Sequence, residues 1–160
     1  MTECLVCQQN KVETIKTRGL LQPLSIPSQC SEEVSMDLIT GLPNSKGKSV
    51  IKVAVDRLTK YAHFCALSHP FKVSTTSTSF MENIQKLHGN QNIIVSNRDP
   101  IFTGNVWTKL FSCLGTQLAH SSSYHPQSDG QTEIVNECLE GYFCCFLSNK
   151  HRGVFLFILK

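Results

Sequence analysis

Hydrophobic and polar residues alternate along the first half of the chain with the short period that is typical of β-strands. Residues 33–40 alternate and then become apolar, and they end at the turn-forming residues 41–43, so we predict a first strand there. Residues 49–55 and 61–67 have the same character and are separated by the charged segment 56–60. These three strands are predicted to form an antiparallel meander.

In the second half of the chain, apolar residues follow the spacing of helices and strands in turn. The Ser/Thr run 73–79 has weak helix propensity, so we expect only its last members to cap a helix at 80–88, which Gly89 ends. The remaining predicted elements are a strand at 92–96, a helix at 106–114, a strand at 116–120 and a helix at 131–147. This order predicts an α/β fold with a mixed five-stranded sheet flanked by helices.

The composition limits the class of protein. A chain of 160 residues with 41% hydrophobic and 17% charged residues is long enough for one domain core. Pro23 and Pro27 stand in an apolar segment that favours an extended connector, so the folded domain is expected to begin near Cys30. No apolar stretch approaches the roughly 18 residues of a membrane span, so we expect no membrane association.

The formal net charge of +3 becomes informative when the charges are placed along the chain. Between Lys46 and Arg98, eight basic residues stand against two acidic ones. Such an excess favours either a face that binds a polyanion or an ordinary soluble surface with no partner.

Asp37 lies inside the first predicted strand among apolar neighbours. A buried acid needs a pairing partner, hydrogen bonds or a cation, so Asp37 either faces solvent or points into a functional cleft. Glu133 opens the last predicted helix, and Glu137 and Glu140 follow on much the same face, which is also typical of a solvated helix face. Carboxylates brought together from the strand and the helix would be suitable ligands for Mg²⁺.

The eight cysteines are expected to be thiols, most of them packed as small apolar side chains. Only Cys4 and Cys7 have the spacing of zinc ligands. The nearest downstream histidine is the distant His63, so the pair supplies only half of a tetrahedral site and zinc binding stays an open alternative.

Seven motifs along the chain carry a resemblance to a known family. The motifs are Cys4-Leu-Val-Cys-Gln8, Gly19-Leu-Leu-Gln-Pro-Leu24, Val34-Ser-Met-Asp-Leu-Ile39 with Gly41-Leu-Pro43, Val55-Asp-Arg-Leu-Thr-Lys-Tyr-Ala-His-Phe64, Leu87-His-Gly89, Ile94-Val-Ser-Asn-Arg-Asp-Pro-Ile-Phe-Thr103 and Ser123-Tyr-His-Pro-Gln-Ser-Asp-Gly-Gln-Thr-Glu133. With these motifs the chain resembles the integrases of Ty3/gypsy-type LTR retrotransposons, of the sort abundant in plant genomes. The resemblance covers residues 4–147, and its most specific part is the last motif. It implies an RNase H-like fold of the retroviral integrase type.

The resemblance also implies a catalytic triad of acids that holds two Mg²⁺ or Mn²⁺ ions for strand transfer to DNA. Asp37 matches the first acid and Glu133 the third, and the family's spacing places the second at position 97. Where the family reads Ser-Asp-Arg-Asp, this chain has Asn97, so the implied catalytic and metal-ligating set is Asp37, Asn97 and Glu133. An amide lacks the negative charge that the cations need, so we expect impaired activity. Asp99 is two residues further on, and an extended strand would place it too far away to replace the ligand. Deamidation of Asn97, or an aspartate hidden by a miscalled base, is a separate alternative.

Further roles follow from the same resemblance. Tyr124, His125 and Gln127 lie where the family contacts DNA ends, although His125 alternatively only shapes the turn at Pro126. Lys60 is expected to be structural or to contact phosphates, and Asn136 to position the Glu133 carboxylate. The implied partners are the element's cDNA ends, target DNA and further copies of the chain, and the implied location is the nucleus. Zinc at Cys4 and Cys7 is disfavoured because the family's upstream His pair is absent.

The resemblance divides the chain into three parts. Residues 1–29 are expected to be a remnant of the zinc-binding N-terminal region with its linker, residues 30–147 the catalytic core, and residues 148–160 a divergent, truncated tail. We therefore expect a retrotransposon integrase core that binds nucleic acid and is disabled at one ligand. The alternatives are a metal-free DNA-binding or oligomerising remnant and, with less support from the last motif, an RNase H-like nuclease that cuts without joining.

Overall fold

The computed structural model describes residues 26–121 and 130–147. Their order of elements is the predicted one, with one short additional helix. The strands are β1 (Glu33–Ile39), β2 (Lys48–Asp56), β3 (Ala62–Ser68), β4 (Ile93–Ser96) and β5 (Gln117–His120). The helices are α1 (Val73–Phe80), a π-helical turn (Met81–Gln85), α2 (Lys86–His88), α3 (Pro100–Thr103), α4 (Asn105–Cys113) and α5 (Gly130–Leu147).

The five strands form one mixed sheet in the order β3-β2-β1-β4-β5. β1 pairs antiparallel with β2, and β2 pairs antiparallel with β3, which confirms the predicted meander. β1 also pairs parallel with β4, and β4 pairs parallel with β5. The central strand β1 therefore has β4 running beside it in the same direction, which places the end of β4 next to the middle of β1.

Each face of the sheet has its own apolar core, because successive residues of a strand point to opposite faces. Val34, Met36 and Leu38 face α1, α3 and α4, where the rings of Phe80, Phe102, Trp107 and Phe111 pack together. Ile39, Ile51, Val53 and Val55 face α5, whose Phe143 is buried against them. The second face also carries Asp37, so α5 covers the strand position of the predicted acid.

The Ser/Thr run is helical, whereas we expected only its last members to take part. Thr76 and Ser77 are buried, and their hydroxyls donate to the carbonyl oxygens of Lys72 (3.2 Å) and Val73 (2.7 Å). Hydroxyls that bond to the preceding turn can be buried in a helix without loss of hydrogen bonding. Tertiary packing therefore outweighs the weak propensity of the run.

The expectation of apolar surroundings for the cysteines is wrong for most of those that the structure describes. Cys30, Cys113 and Cys138 are exposed, and Cys65 is half-buried. All four are free thiols. Among the described residues, no helix combines the length and the apolar character needed to cross a membrane.

The basic excess between Lys46 and Arg98 does not form one face. Lys52 is buried, and the Arg57 guanidinium forms an ion pair with Glu33. Lys48 begins β2, while Lys60 follows its far end, so these two side chains lie at opposite ends of a nine-residue strand. The positions of these side chains therefore do not support a single polyanion-binding face.

Lys52 is the one fully buried charged side chain that the described part of the core contains. Its Nζ donates to Ser79 Oγ over 3.0 Å and lies 5.7 Å from the centre of the Phe80 ring. No carboxylate of the described residues forms an ion pair with it. Burial lowers the pKa of Lys52 to about 8. Burial therefore disfavours the protonated form relative to the unfolded chain, but Lys52 still carries its charge at pH 7.

We predict that Trp107→Ala lowers the free energy of unfolding by about 3–5 kcal/mol, because it leaves a cavity among the three aromatic rings that Trp107 contacts. Urea denaturation followed by far-UV circular dichroism measures the change. Val106→Ala is the control, because Val106 is 58% exposed and its truncation should change stability by no more than about 0.5 kcal/mol. Equal effects of the two substitutions would contradict the description of this core.

We also predict that Lys52→Met raises the free energy of unfolding at pH 7 by about 1–3 kcal/mol, because the variant buries no charge. The folded-state pKa of about 8 lies below the ordinary value, so the unfolded chain binds more protons above pH 8. The stability of the unaltered chain should therefore rise between pH 8 and about 10.5, and that of the variant should not. Urea denaturation at both ends of this range tests the difference, with the exposed Lys72→Met as a control. A less stable Lys52→Met variant would refute this account.

Candidate functional site

The sheet and α5 bring three polar side chains together. Asp37 projects from β1 toward α5, Asn97 directly follows β4, and Asn136 lies on α5. Because β4 is the parallel neighbour of β1 and ends opposite Met36, Asn97 reaches the Asp37 side chain. The structure thus joins the first predicted acid, the residue at the position of the second acid, and a predicted positioning residue.

Both oxygens of the Asp37 carboxylate accept hydrogen bonds from amide groups. Asn97 Nδ2 donates to Oδ1 over 2.7 Å, and Asn136 Nδ2 donates to Oδ2 over 2.7 Å. The backbone N–H of Leu38 also donates to Oδ1, over 2.8 Å. The half-buried carboxylate is therefore held by three N–H donors from three elements of the fold.

The protonation of Asp37 reflects opposing influences. Burial raises its pKa above the ordinary value, and the nearby negative charge of Asp99 adds to this rise. The hydrogen bonds from the Leu38 N–H and the Asn136 amide oppose it by stabilising the charged form. The amide donors thus compensate for part of the cost of a negative charge at this position.

The orientation of the Asn97 amide is fixed at both ends. Its Nδ2 donates to Asp37, and its Oδ1 accepts from the backbone N–H of Asp99 over 3.0 Å. Asp99 Oδ1 in turn accepts from the backbone N–H of Ile101 over 2.9 Å and caps α3. Asp99 therefore stands at a helix start and not on a strand, and its carboxylate serves as the cap.

Glu133 lies in the first turn of α5, one turn before Asn136, and its side chain is exposed. Asn136 donates to Asp37, and not to the Glu133 carboxylate that it was expected to position. Its Oδ1 is buried and has no hydrogen-bond partner within the described ranges. The helix consequently contributes an amide donor to the centre of the site, with the third predicted acid at its edge.

The contacts of Asp37 do not suit a divalent cation. Mg²⁺ requires oxygen ligands at about 2.0–2.1 Å in near-octahedral geometry. At Asp37 the groups that meet the carboxylate are the N–H donors of Asn97 and Asn136, and residues 26–121 and 130–147 contain no metal-binding group of three or more His, Cys, Asp or Glu side chains. The residues as arranged do not fit the pair of magnesium ions that the resemblance implies.

Of the remaining predicted site residues, the structure describes Lys60, and it does not lie at Asp37. Lys60 lies in the turn after β2, at the end of the sheet where β1 begins, and its Nζ donates to the Arg57 carbonyl oxygen over 2.7 Å. The structure thus gives Lys60 a local contact within its own turn. Tyr124, His125, Gln127, Cys4 and Cys7 lie outside the described residues.

The sequence analysis missed the role of Asp99 as a neighbour of Asp37 and Asn97. Its charge acts on Asp37, and its backbone orients Asn97. The signal was present in the sequence, because Asp followed directly by Pro100 is typical of a helix N-cap with proline at the first helical position.

Comparison with known proteins yields relatives among transposons, while no protein-family model matches the chain. The polyproteins of transposons Tf2-3 and Tf2-4 of Schizosaccharomyces pombe (strain 972 / ATCC 24843) are each 34% identical to it over 145 residues. The match covers 91% of this chain and 11% of each polyprotein. The chain therefore corresponds to a small segment of these relatives.

Solved structures share the fold. The simian T-cell lymphotropic virus intasome in complex with PP2A regulatory subunit B56 gamma contains a chain that matches 94% of this one with a TM-score of 0.66 and 16% identity, over 52% of its own length. The HTLV-2 integrase catalytic core domain in complex with magnesium, in a dimeric form, matches 78% of each chain with a TM-score of 0.60 and 14% identity. The chain therefore belongs to the family of Ty3/gypsy-type transposon polyproteins, of which it spans a segment, and it has the RNase H-like fold of integrase catalytic cores.

Proposed function

We propose that this core binds DNA and that its metal-dependent strand transfer is blocked at Asn97. The single observation that carries the proposal is the 2.7 Å hydrogen bond from Asn97 Nδ2 to Asp37 Oδ1. This bond places an N–H donor where the family's chemistry requires a second carboxylate. The proposed substrates are the element's cDNA ends and target DNA, the proposed location is the nucleus, and the proposed assembly contains further copies of the chain.

Known relatives support the general class of function. The HTLV-2 core domain was solved with magnesium and as a dimer, and the simian virus chain belongs to an intasome. The Tf2 relatives are transposon polyproteins. The activity that this chain is proposed to have lost is therefore DNA joining by a core of this kind.

Electrostatics support the block at position 97. An asparagine supplies no negative charge, and two divalent cations beside Asp37 would leave most of their charge uncompensated. Rotating the Asn97 amide to offer its oxygen would break two hydrogen bonds, one to Asp37 and one from the Asp99 N–H. The amide therefore disfavours cation binding for two reasons: it carries no negative charge, and its two hydrogen bonds would have to break.

DNA binding does not need the metal in this proposal. Arg98 is exposed and directly follows Asn97, so it is a basic residue next to the site in the chain that is available to backbone phosphates. Binding through phosphates depends on salt concentration, because it releases counterions. A metal-free DNA-binding core and a metal-dependent enzyme are therefore distinguished by their response to chelators.

We predict that Asn97→Asp creates a cation site at the cost of stability. Without divalent ions the melting temperature should fall by several degrees, because the variant loses an amide donor and places like charges beside Asp37. About 10 mM Mg²⁺ or Mn²⁺ should raise the melting temperature of the variant by about 3–5 °C and leave the unaltered chain unchanged. Differential scanning calorimetry measures both effects.

Asn44→Asp is the matched control for this experiment. Asn44 is exposed in the turn before β2, where its Oδ1 accepts from the Gly47 N–H and an aspartate would keep that bond. This variant has the same added charge away from Asp37, so cations should not stabilise it. Stabilisation of the unaltered chain by Mg²⁺, or equal stabilisation of the two variants, would overturn the proposed block.

We further predict that the unaltered chain binds a labelled DNA duplex equally well with Mg²⁺ and with EDTA, and that it joins no ends. Fluorescence anisotropy measures binding, and Arg98→Ala should weaken it and reduce its salt dependence.

In a strand-transfer assay, Asn97→Asp should gain joining, and the further change Glu133→Gln should abolish it. Joining by the unaltered chain would refute the block, and binding that EDTA abolishes would refute metal-independent DNA recognition.

A further inference from the structure

Two histidines meet at a second location, on the face of the sheet opposite to Asp37. His63 lies on β3 opposite Ala54, and His88 ends α2 immediately before Gly89. Their Nε2 atoms are 2.8 Å apart, and their ring centres are 4.9 Å apart. His63 is half-buried and also contacts the Tyr61 ring edge-on, whereas His88 is exposed.

The geometry of this pair argues against a shared metal ion. Ring centres at 4.9 Å with nitrogens at 2.8 Å mean that the two Nε2 atoms point almost directly at each other. An ion at the usual zinc–nitrogen distance from both atoms would lie about 45° away from the direction of each lone pair. The arrangement instead suits one proton between the two nitrogens.

The pair joins the end of α2 to β3. α2 follows the π-helical turn, and β3 is the edge strand of the sheet. The two histidines line a cavity of about 580 Å³ whose floor includes Val34, Ala54 and Ile84. The hydrogen-bonded pair thus forms part of the wall of this cavity.

Charged and titratable groups approach the pair from each neighbouring element. β2 contributes Lys52 and Asp56, the turn after it contributes Lys60 and Tyr61, and the segment before β1 contributes Cys30. Glu82 and Lys86 are the other charged residues of the helical segment that carries His88. Four N–H or O–H groups already donate to the Asp56 carboxylate. Burial lowers the pKa of His63, and the positive charges of His88 and Lys52 lower it further.

We propose that His63 and His88 form a proton-controlled latch that holds the end of α2 against β3. With one proton between the two Nε2 atoms, one ring donates and the other accepts. When both rings are protonated, two cationic N–H groups face each other at 2.8 Å and the contact opens. Opening would widen the cavity and free the helix end while the sheet stays intact.

The sign of the pH dependence follows from the His63 environment. Its folded-state pKa is lowered, so the folded state binds fewer protons than the unfolded chain as the pH falls below about 6.5. The stability that the latch contributes is therefore present above that pH and is lost as the pH falls through the folded-state value.

Melting temperatures of the full chain between pH 7.5 and 5 test the latch. His88→Gln keeps a side chain that can hydrogen-bond but cannot titrate, so its melting temperature should fall by about 3 °C less than that of the unaltered chain. His120→Gln is the control, because it removes one exposed histidine on β5, outside the pair, and should keep the pH dependence of the unaltered chain. Parallel curves for the unaltered chain and His88→Gln would overturn the proposal.

Imidazole ¹⁵N NMR of the unaltered chain provides a second measurement that does not depend on a variant. We expect His63 to bind its proton below the ordinary histidine value, because burial and the neighbouring positive charges lower its pKa. Loss of the contact between the rings should accompany this step. Titration of His63 at the ordinary value, or a contact between the rings that survives its protonation, would refute the latch.

Discussion

The negative charge of Asp37 is the constraint around which this site is built. A half-buried carboxylate in the central strand must be compensated, and the family's solution implied by the resemblance is a pair of cations held by further acids. In this chain the compensation comes from amide and backbone N–H groups of three different elements. These N–H dipoles stabilise the negative charge of Asp37 without an ion.

The sheet topology explains why the residue at position 97 contacts Asp37. The parallel pairing of β1 with β4 fixes the end of β4 beside Asp37, so whatever stands at position 97 meets that carboxylate. The cap that Asp99 forms on α3 holds the following chain in place and orients the Asn97 amide through its own N–H. The contact is therefore specified by the backbone and by a neighbouring helix.

The sequence predicted the strands and the longer helices well, because their apolar periodicity directly reflects which face is buried. It failed at the Ser/Thr run, where hydrogen bonds to the preceding turn allow Thr76 and Ser77 to be buried in a helix. At the site, the resemblance identified positions 37, 97 and 133, and the structure brings Asn97 and Asn136 to Asp37. No sequence pattern indicated which way the amides point, since that depends on the backbone N–H of Asp99 and on the depth at which α5 packs. The buried Lys52 was likewise hidden, because strand alternation says which face a residue takes but not whether a helix covers it.

The single tryptophan of the sequence stands in only one of the two cores. Trp107 is packed among Phe80, Phe102 and Phe111, while the core under α5 contains no tryptophan among the described residues. Tryptophan fluorescence therefore reports on the core that contains Trp107 and not on the core under α5, on the face of the sheet that carries Asp37. A comparison of tryptophan emission with backbone circular dichroism reports whether the two layers come apart together or one after the other, with no added label.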